Sequence, residues 1–216
     1  MIRKYTLFSI DDSRKHLTQK VRQTLNSQGW SEVQTNCISA YVPGQVEAEL
    51  ERRGLFVNPI DNDPRTIGEI AIWLTVLNGI EHAPVVTIED DAIIGENFTK
   101  DFDEAMSELP DDVDFFSLFI PRDSDHLFTE SYSMGKSRAC RAYQRYGGVS
   151  MYVSAAGAEK ILQLVKQSGI TAQWDNELYR QARQGALNGY TSMPTKRDIV
   201  WINSETPTIV HDTELF

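Results

Sequence analysis

Three consecutive carboxylates follow a short apolar run, and their types and spacing suit the binding of a metal ion. The run spans residues 85–88, and the acids are Glu89, Asp90 and Asp91. Like charges gathered at the end of a buried strand repel one another unless a positive group shares the site. A hard divalent cation, Mn²⁺ or Mg²⁺, would supply that charge and leave positions open for substrate phosphates. An acidic, solvated turn ahead of the next helix is the alternative interpretation.

The acidic charge of the chain is concentrated around this motif. The 216 residues include 31 Asp and Glu and 21 Lys and Arg, for a net charge of -10. Residues 81–114 alone contain 12 acids and one base, Lys100, so the remainder has 19 acids and 20 bases. An acidic balance argues against a nucleic-acid coat protein or a binder of anionic membranes, since both need a positive surface field.

Alternating apolar segments predict the elements that must position these acids. Strands are predicted at residues 5–10, 33–41, 85–88, 115–120, 149–153, 199–202 and 208–210. Helices are predicted between them, around residues 17–25, 45–53, 67–77, 98–109, 158–165 and 175–184. Strands separated by helices of this length predict a single α/β domain over residues 1–216, with a largely parallel sheet covered on both faces. Residues 121–146 have no clear periodicity and are predicted to form a long loop.

Cysteine content and hydropathy indicate the compartment. Cys37 and Cys140 are too few for a disulfide framework, and their spacing fits no thiolate metal site. The amino terminus develops no signal-peptide apolar region. The most apolar stretch, residues 70–80, is shorter than the roughly 20 residues that a membrane-spanning helix needs. A cytoplasmic protein without a membrane span is therefore expected.

Three blocks of the chain resemble glycosyltransferase family 25, which includes lipopolysaccharide-type sugar transferases. Residues 68–75 (GEIAIWLT), followed about ten residues later by residues 85–94 (VVTIEDDAII), resemble the central block of that family. Residues 8–15 (FSIDDSRK) resemble its amino-terminal strand and loop, and residues 148–162 (GVSMYVSAAGAEKIL) resemble its later strand and helix. The blocks occur in the same order as in the family and cover most of residues 5–180.

The resemblance implies a fold, a reaction and a ligand set. The fold is the single-domain, Rossmann-like GT-A fold, and the reaction is an inverting transfer from a nucleotide sugar, with a UDP-sugar favoured, to an acceptor hydroxyl on a saccharide. The resemblance places a divalent cation, Mn²⁺ or Mg²⁺, at the Glu-Asp-Asp motif. Its implied ligands are Glu89, Asp91 and, after a late strand, His211, for which a surface or capping role is the alternative. The donor-binding candidates in the matched blocks are Ser9, Asp12, Arg14, Glu69 and Asp90, with helix capping as the alternative role of Glu69, and the basic stretch described below adds Arg138 and Arg141.

An inverting transfer also needs a general base that takes the proton of the acceptor hydroxyl as it attacks. The sequence Trp-Asp-Asn-Glu at residues 174–177 matches the later acidic position of the family. Asp175 is therefore the first candidate for the base and Glu177 the second. Helix capping is the alternative role for Asp175, because Asp is favoured at helix starts without any catalysis.

The chain departs from the family pattern after the Gly-Glu-Ile sequence. The family typically continues Gly-Cys-Ala-Leu-Ser-His, whereas residues 71–76 here read AIWLTV. Thr75 can replace the serine hydroxyl, but Val76 has no hydrogen-bonding group where the family has histidine. The donor sugar and acceptor preference of the family therefore do not carry over to this chain.

A basic stretch at residues 134–146 leaves the identity of the acceptor molecule undecided. It contains no acid, and Tyr143 and Tyr146 accompany its bases, which are Lys136, Arg138, Arg141 and Arg145. Such a stretch suits the donor diphosphate or an anionic acceptor, including a modified base in DNA of the kind some viral enzymes glycosylate. A solvated loop that offsets the acidic segment is the alternative. A catalytically silent sugar-nucleotide or carbohydrate-binding module is a third possibility, because fold does not fix function.

Overall fold

The computed structural model describes residues 3–9, 14–59, 65–119, 139–142, 146–192 and 199–202. These ranges contain nine strands and six helices. The strands are β1 (Lys4–Phe8), β2 (Ser31–Glu32), β3 (Val85–Glu89), β4 (Ala92–Ile94), β5 (Phe115–Ser117), β6 (Ala139–Arg141), β7 (Ser150–Val153), β8 (Gly189–Ser192) and β9 (Val200–Ile202). The helices are α1 (Lys15–Ser27), α2 (Gln45–Arg53), α3 (Ile67–Ile80), α4 (Phe98–Met106), α5 (Ala155–Ser168) and α6 (Trp174–Arg183).

Seven of these strands form one mixed sheet, in the order β2-β1-β3-β7-β5-β8-β6. β2, β1 and β3 are mutually parallel, and β8 is parallel to β5. β7 runs antiparallel to both of its neighbours, and β6 runs antiparallel to β8. Five of the seven strands therefore share one direction. The predicted α/β class is confirmed, and the sheet contains both parallel and antiparallel pairs. β4 and β9 pair with each other in a separate antiparallel ribbon.

Helices cover both faces of the sheet. One hydrophobic core joins α2, α3, α5 and α6 to the sheet, and the other joins α1 and α4 to the opposite face. The sheet lies between the two cores, and successive side chains along each strand point into one core and then the other. Phe115 packs in the first core and Phe116 in the second, and both are fully buried. Sequence runs without polar alternation are typical of strands buried in this way on both sides.

The central helix α3 is buried around its whole circumference, which agrees with its continuous apolar sequence. Its first turn is fixed by a capping box. Thr66 Oγ1 accepts a hydrogen bond from the backbone N–H of Glu69, and the Glu69 carboxylate accepts one from the backbone N–H of Thr66. Two otherwise unpaired amides of the helix start are satisfied in this way.

One predicted strand is wrong and four strands were missed. Residues 33–39 have no strand assignment: the backbone N–H of Val33 still donates to the carbonyl of Tyr5 in β1, but side chains of α3 bind the backbone farther along. The backbone N–H of Ile38 donates to Thr75 Oγ1, and the side-chain amide of Asn78 donates to the carbonyl of Asn36. The missed strands are the short β2, β4, β6 and β8. The prediction for residues 208–210 lies outside the described residues.

The chain order of the sheet creates a crevice beside β1. The chain leaves β1 to form β2 on one side and later returns to form β3 on the other side, so the connections from the carboxyl ends of β1 and β3 diverge. In open α/β sheets, ligands bind in the crevice at such a topological switch point. In the described ranges, no helix is both long enough and apolar enough to cross a membrane.

Candidate functional site

The three acids of the sequence motif lie at this switch point. Glu89 is the last residue of β3, and it pairs in register with Phe8, the last residue of β1. The backbone N–H of Glu89 donates to the carbonyl of Val149, just ahead of β7, so a third strand helps to fix the position of the motif. Ser9 follows Phe8 at the same edge of the sheet. The carboxyl end of β1, where Ser9 was predicted to bind the donor, therefore adjoins the predicted metal site.

Arg14 provides a positive charge inside the acidic motif. This residue directly precedes α1, and its Nη2 atom lies 2.6 Å from Asp90 Oδ1 and 3.0 Å from Asp91 Oδ2. The side chains of Arg14, Asp90 and Asp91 are 14%, 5% and 12% exposed, so the ion pairs are largely shielded from water. Arg14 was predicted to bind the donor, and the structure places it on the motif itself.

Negative charge exceeds positive charge around Glu89. Burial raises the pKa of Glu89 well above its ordinary value, and the nearby carboxylates of Asp91, Asp175 and Asp90 raise it further. The Arg14 guanidinium acts in the opposite direction but does not cancel these effects. A carboxyl group is driven to keep its proton when its ionised form is desolvated and surrounded by like charges. Among the described residues, four carboxyl groups therefore share this region with the Arg14 guanidinium.

This excess of oxygen ligands and negative charge fits a hard divalent cation. The Oδ1 atom of Asp91 is buried and has no hydrogen-bond partner among the described residues. Carboxylate oxygens are the ligands that Mg²⁺ and Mn²⁺ prefer, and such ions are often held by only one or two carboxylates. Within the described ranges, no three His, Cys, Asp or Glu side chains are arranged to enclose a metal ion. His211 and Asp12 lie outside those ranges.

Asp175 lies close enough to raise the pKa of Glu89, although the two residues are far apart in the sequence. It is the second residue of α6, and its carboxylate accepts hydrogen bonds from the backbone N–H groups of Gly147 at 2.7 Å and Asn176 at 2.8 Å. Burial raises the pKa of Asp175, while these backbone hydrogen bonds and one from Gly148 limit the rise. The structure thus brings the first predicted base, Asp175, next to the three acids of the motif. We define Glu89, Asp90, Asp91 and Asp175 together as the acidic cluster.

Two aromatic contacts hold the start of α6 in this position. The rings of Trp174 and Phe8 meet edge to face, with centroids 6.4 Å apart, so α6 is attached to the end of β1. The Trp174 ring also lies directly over Gly148. A Cβ atom on Gly148 would be 2.3 Å from the ring and 3.0 Å from the Cβ atom of Asp175. Glycine at position 148 is therefore a condition for the close approach of the Asp175 segment.

We expect Gly148→Ala to lower the free energy of unfolding by about 1–3 kcal/mol, the usual cost of overfilling a packed site. The added methyl group would have to displace the indole of Trp174, and Asp175 would move with it. Urea unfolding followed by tryptophan fluorescence measures the change. Unfolding indistinguishable from that of the wild type would show that Trp174 does not pack against position 148.

The raised pKa of Glu89 predicts a specific dependence of stability on pH. The pKa of Glu is about 4.3 in the unfolded state and is higher in the folded state. As pH rises from the unfolded-state pKa to the folded-state pKa, such a carboxyl group destabilises the fold progressively. Glu89→Gln carries no ionisable group and imitates the protonated form. In chelator-treated protein, we expect this variant to gain stability over the wild type as pH rises from about 4.5 to 8. A difference that stays constant across urea denaturations at these pH values would contradict the assignment.

Glu177, the second candidate for the base, is engaged in structural interactions. Its carboxylate accepts hydrogen bonds from Arg180 Nε at 2.9 Å and from the side-chain amide of Gln181 at 2.8 Å. Burial raises the pKa of Glu177, but hydrogen bonds from Arg180, Gln181 and Thr171 outweigh that effect and the pKa is lowered. A buried carboxylate with a lowered pKa and several donors is a weak proton acceptor. The structure therefore favours Asp175 over Glu177.

Glu69 connects the starts of two helices. One carboxylate oxygen completes the capping box of α3, and the other accepts a hydrogen bond from the side-chain amide of Gln173 at 2.6 Å. Gln173 in turn accepts a hydrogen bond from the side chain of Asn176, next to Asp175. The capping role is thus confirmed for Glu69, and its predicted contact with the donor remains untested. Thr75 is also structural, because its hydroxyl holds the backbone of Ile38.

The structure does not bring Arg141 to the acidic cluster. Arg141 lies on β6, at the opposite edge of the sheet from β2, and its guanidinium stacks on the ring of Tyr190, 4.6 Å from the centroid. It also donates a hydrogen bond to Asn188, which precedes the amino end of β8. Arg138 and the other bases of the predicted patch lie outside the described residues. The described residues therefore add no support for a DNA acceptor.

The Gly-Ala-Glu-Lys sequence of the third family-like block has a structural role. Lys160 Nζ lies 2.7 Å from the fully buried carboxylate of Asp114, which also accepts a hydrogen bond from the backbone N–H of Asn188. A Cβ atom on Gly157 would lie 2.0 Å from the Asp114 carbonyl oxygen. This block joins α5 to the segment that precedes β5. It therefore lies at the amino ends of the parallel strands, opposite the carboxyl ends that carry the acidic cluster.

A cavity of about 300 Å³ adjoins the acidic cluster between α1 and β4. Its walls include Asp90 and Asp91, the apolar side of α1 and the base Lys20. This volume is at the lower end of the range of small-molecule sites. The cavity gives the crevice additional room on the α1 side of the motif.

Sequence reasoning missed the parts of the site that depend on tertiary contacts. These are the ion pairs of Arg14, the contact of Gln173 with Glu69 and the packing of Trp174 on Gly148. One sequence signal was present for the last of these contacts. Consecutive glycines directly before a strand, as at Gly147 and Gly148, often mark the close approach of another segment.

Neither protein-family models nor curated proteins match this chain. The case for a function therefore depends on the chemistry of the site and on the resemblance carried by the three sequence blocks.

Proposed function

We propose that this protein transfers a sugar from a nucleotide-sugar donor, with a UDP-sugar favoured, to an acceptor hydroxyl on a saccharide. The observation that carries the proposal is the meeting of the Glu-Asp-Asp motif with Asp175 at the switch point of the sheet. The family resemblance assigns separate roles to these two segments, and both roles are needed at one site. Within the α/β class, the proposed fold is the single-domain GT-A type, which places its donor at this edge.

The acidic motif suits the departing diphosphate. Asp91, with a second carboxylate of the motif, would hold a divalent cation, Mn²⁺ or Mg²⁺, which when bound supplies positive charge for the leaving nucleoside diphosphate. The buried Oδ1 of Asp91 has no hydrogen-bond partner in the part of the chain that the structure describes, which supports this assignment because an orphan carboxylate oxygen is costly. The excess of carboxylates that raises the pKa of Glu89 supports it as well.

Asp175 suits the role of general base. Its backbone hydrogen bonds fix the direction of the carboxylate, and burial makes the carboxylate a stronger proton acceptor than an exposed Asp. In the proposed reaction, Asp175 accepts the proton of the acceptor hydroxyl while the hydroxyl oxygen bonds to the anomeric carbon. The bond from that carbon to the diphosphate oxygen breaks on the opposite face of the sugar.

Donor cleavage without an acceptor tests the proposal and separates it from a silent binding module. The protein is incubated with a panel of nucleotide sugars and Mn²⁺, and free nucleoside diphosphate is measured. We expect slow release of UDP from at least one UDP-sugar and loss of that release in a chelator. If every donor remains intact while one of them binds, the protein is a binding module.

A further inference from the structure

Arg14 occupies the position that a cation would need. Its guanidinium contacts Asp90 Oδ1 and Asp91 Oδ2, one oxygen from each of two adjacent carboxylates. A metal ion held by the same oxygens would lie closer to them than the guanidinium nitrogen does, because metal–oxygen bonds are shorter than hydrogen bonds. An ion that bridges these two oxygens on the side that Arg14 occupies would therefore overlap the guanidinium.

Electrostatics leads to the same conclusion. A like charge within about 4–6 Å disfavours a second positive charge, and the effect is strong where side chains are shielded from water. The three side chains involved are all less than 15% exposed. Arg14 is always charged at physiological pH, so it can make room for a cation only by moving away.

The site also offers a starting point for the exchange. Asp91 Oδ1 is buried, has no described hydrogen-bond partner and belongs to the same carboxylate that Arg14 contacts through Oδ2. An incoming ion can bind this free oxygen before the ion pairs of Arg14 break. The long side chain of Arg14 then allows the guanidinium to leave the carboxylates.

We propose that Arg14 is a tethered counter-ion of the acidic cluster, which competes with a divalent cation for Asp90 and Asp91 and is released when the cation binds. Arg14 balances part of the charge of the metal-free protein and lowers its affinity for the ion. The released guanidinium becomes available to phosphate oxygens, which arginine binds well. This inference builds on the cation site of the proposed function.

Direct measurement of Mn²⁺ binding tests this role without any sugar donor. The spectrum of free aqueous Mn²⁺ in electron paramagnetic resonance gives the dissociation constant for the wild type and for Arg14→Gln. Because a competing charge is removed, we expect Arg14→Gln to bind Mn²⁺ about tenfold or more tightly than the wild type. In an Asp91→Asn background, the gain from Arg14→Gln should disappear.

Arg22→Gln is the matched control. Arg22 also lies on α1 and also pairs with a carboxylate, through Nε at 2.7 Å from Glu32 Oε2, but Glu32 is outside the acidic cluster. We expect this variant to bind Mn²⁺ with wild-type affinity. If Arg14→Gln does not fold, Arg14→Lys is used, because a single ammonium competes less well for two carboxylates and should also tighten Mn²⁺ binding.

Three results would overturn the inference: equal Mn²⁺ affinity in the wild type and Arg14→Gln, weaker binding in Arg14→Gln, or no Mn²⁺ binding by either protein. The proposed function is judged separately, by donor cleavage. If donors are cleaved and Arg14→Gln leaves Mn²⁺ affinity unchanged, only the inference about Arg14 fails. If Arg14→Gln tightens Mn²⁺ binding and no donor is cleaved, only the proposed function fails.

Discussion

Asp175→Asn is expected to lower kcat for sugar transfer by about 10²–10⁴-fold, the usual contribution of a positioned general base. Asparagine is close to aspartate in size and can still accept the hydrogen bond from the backbone of Gly147, so the start of α6 should keep its structure. The amide cannot take up the acceptor proton. The measurement is steady-state transfer with the donor identified by the cleavage screen, combined with the affinity for UDP, which should change little.

Glu177→Gln is the control for this variant. Both residues lie in the first turn of α6, and both substitutions remove one negative charge. Because Glu177 pairs with Arg180 and Gln181, its substitution should reduce stability more than it reduces turnover. If Asp175→Asn retains wild-type kcat, or if Glu177→Gln alone loses it, Asp175 is not the base.

Asp91→Asn is expected to reduce metal-dependent turnover by at least about 10²-fold, since the stabilisation of a leaving group by a cation is worth several kcal/mol. The variant loses the charge of the carboxylate whose buried Oδ1 atom has no hydrogen-bond partner within the described ranges. We expect Mn²⁺ and UDP to raise the melting temperature of the wild type, because both would bind the folded state, and we expect this increase to be absent in the variant.

Asp103→Asn tests whether this effect is local. Asp103 belongs to the same acidic segment, residues 81–114, but it pairs with Arg3 at 2.6 Å on the surface of α4. The same change of charge at this position should leave turnover and Mn²⁺-dependent stabilisation intact. Equal losses in Asp91→Asn and Asp103→Asn would indicate a general effect of net charge and not a metal site.

The sequence was most informative where local pattern decides the structure. The apolar run before Glu89 predicted a buried strand that ends in acids, and the apolar spacing of α3 and α5 predicted two helices. Ser154 precedes α5, and its hydroxyl accepts a hydrogen bond from the backbone N–H of Gly157, as is typical of serine at a helix start. These features depend on residues only a few positions apart, so a single sequence determines them well.

Long-range contacts determined the rest of the site. The segment at residues 33–39 has the composition of a strand, but beyond the bond of Val33 to β1 its backbone is held by the side chains of Thr75 and Asn78. The position of Arg14 between Asp90 and Asp91 follows from the pairing of β1 with β3 and has no local sequence signal. The resemblance selected Asp175 and Glu177 as alternatives, and only their hydrogen bonds in the structure separate a poised carboxylate from a structural one.

A crystal structure of the protein with Mn²⁺ and UDP would test the central claim most directly. Anomalous scattering locates the manganese independently of the surrounding protein. We predict one ion in contact with the Asp91 carboxylate and with the diphosphate of UDP, in the crevice between the carboxyl ends of β1 and β3. UDP bound at another surface, or bound in this crevice without an ion at Asp91, would contradict the proposed metal-dependent donor site.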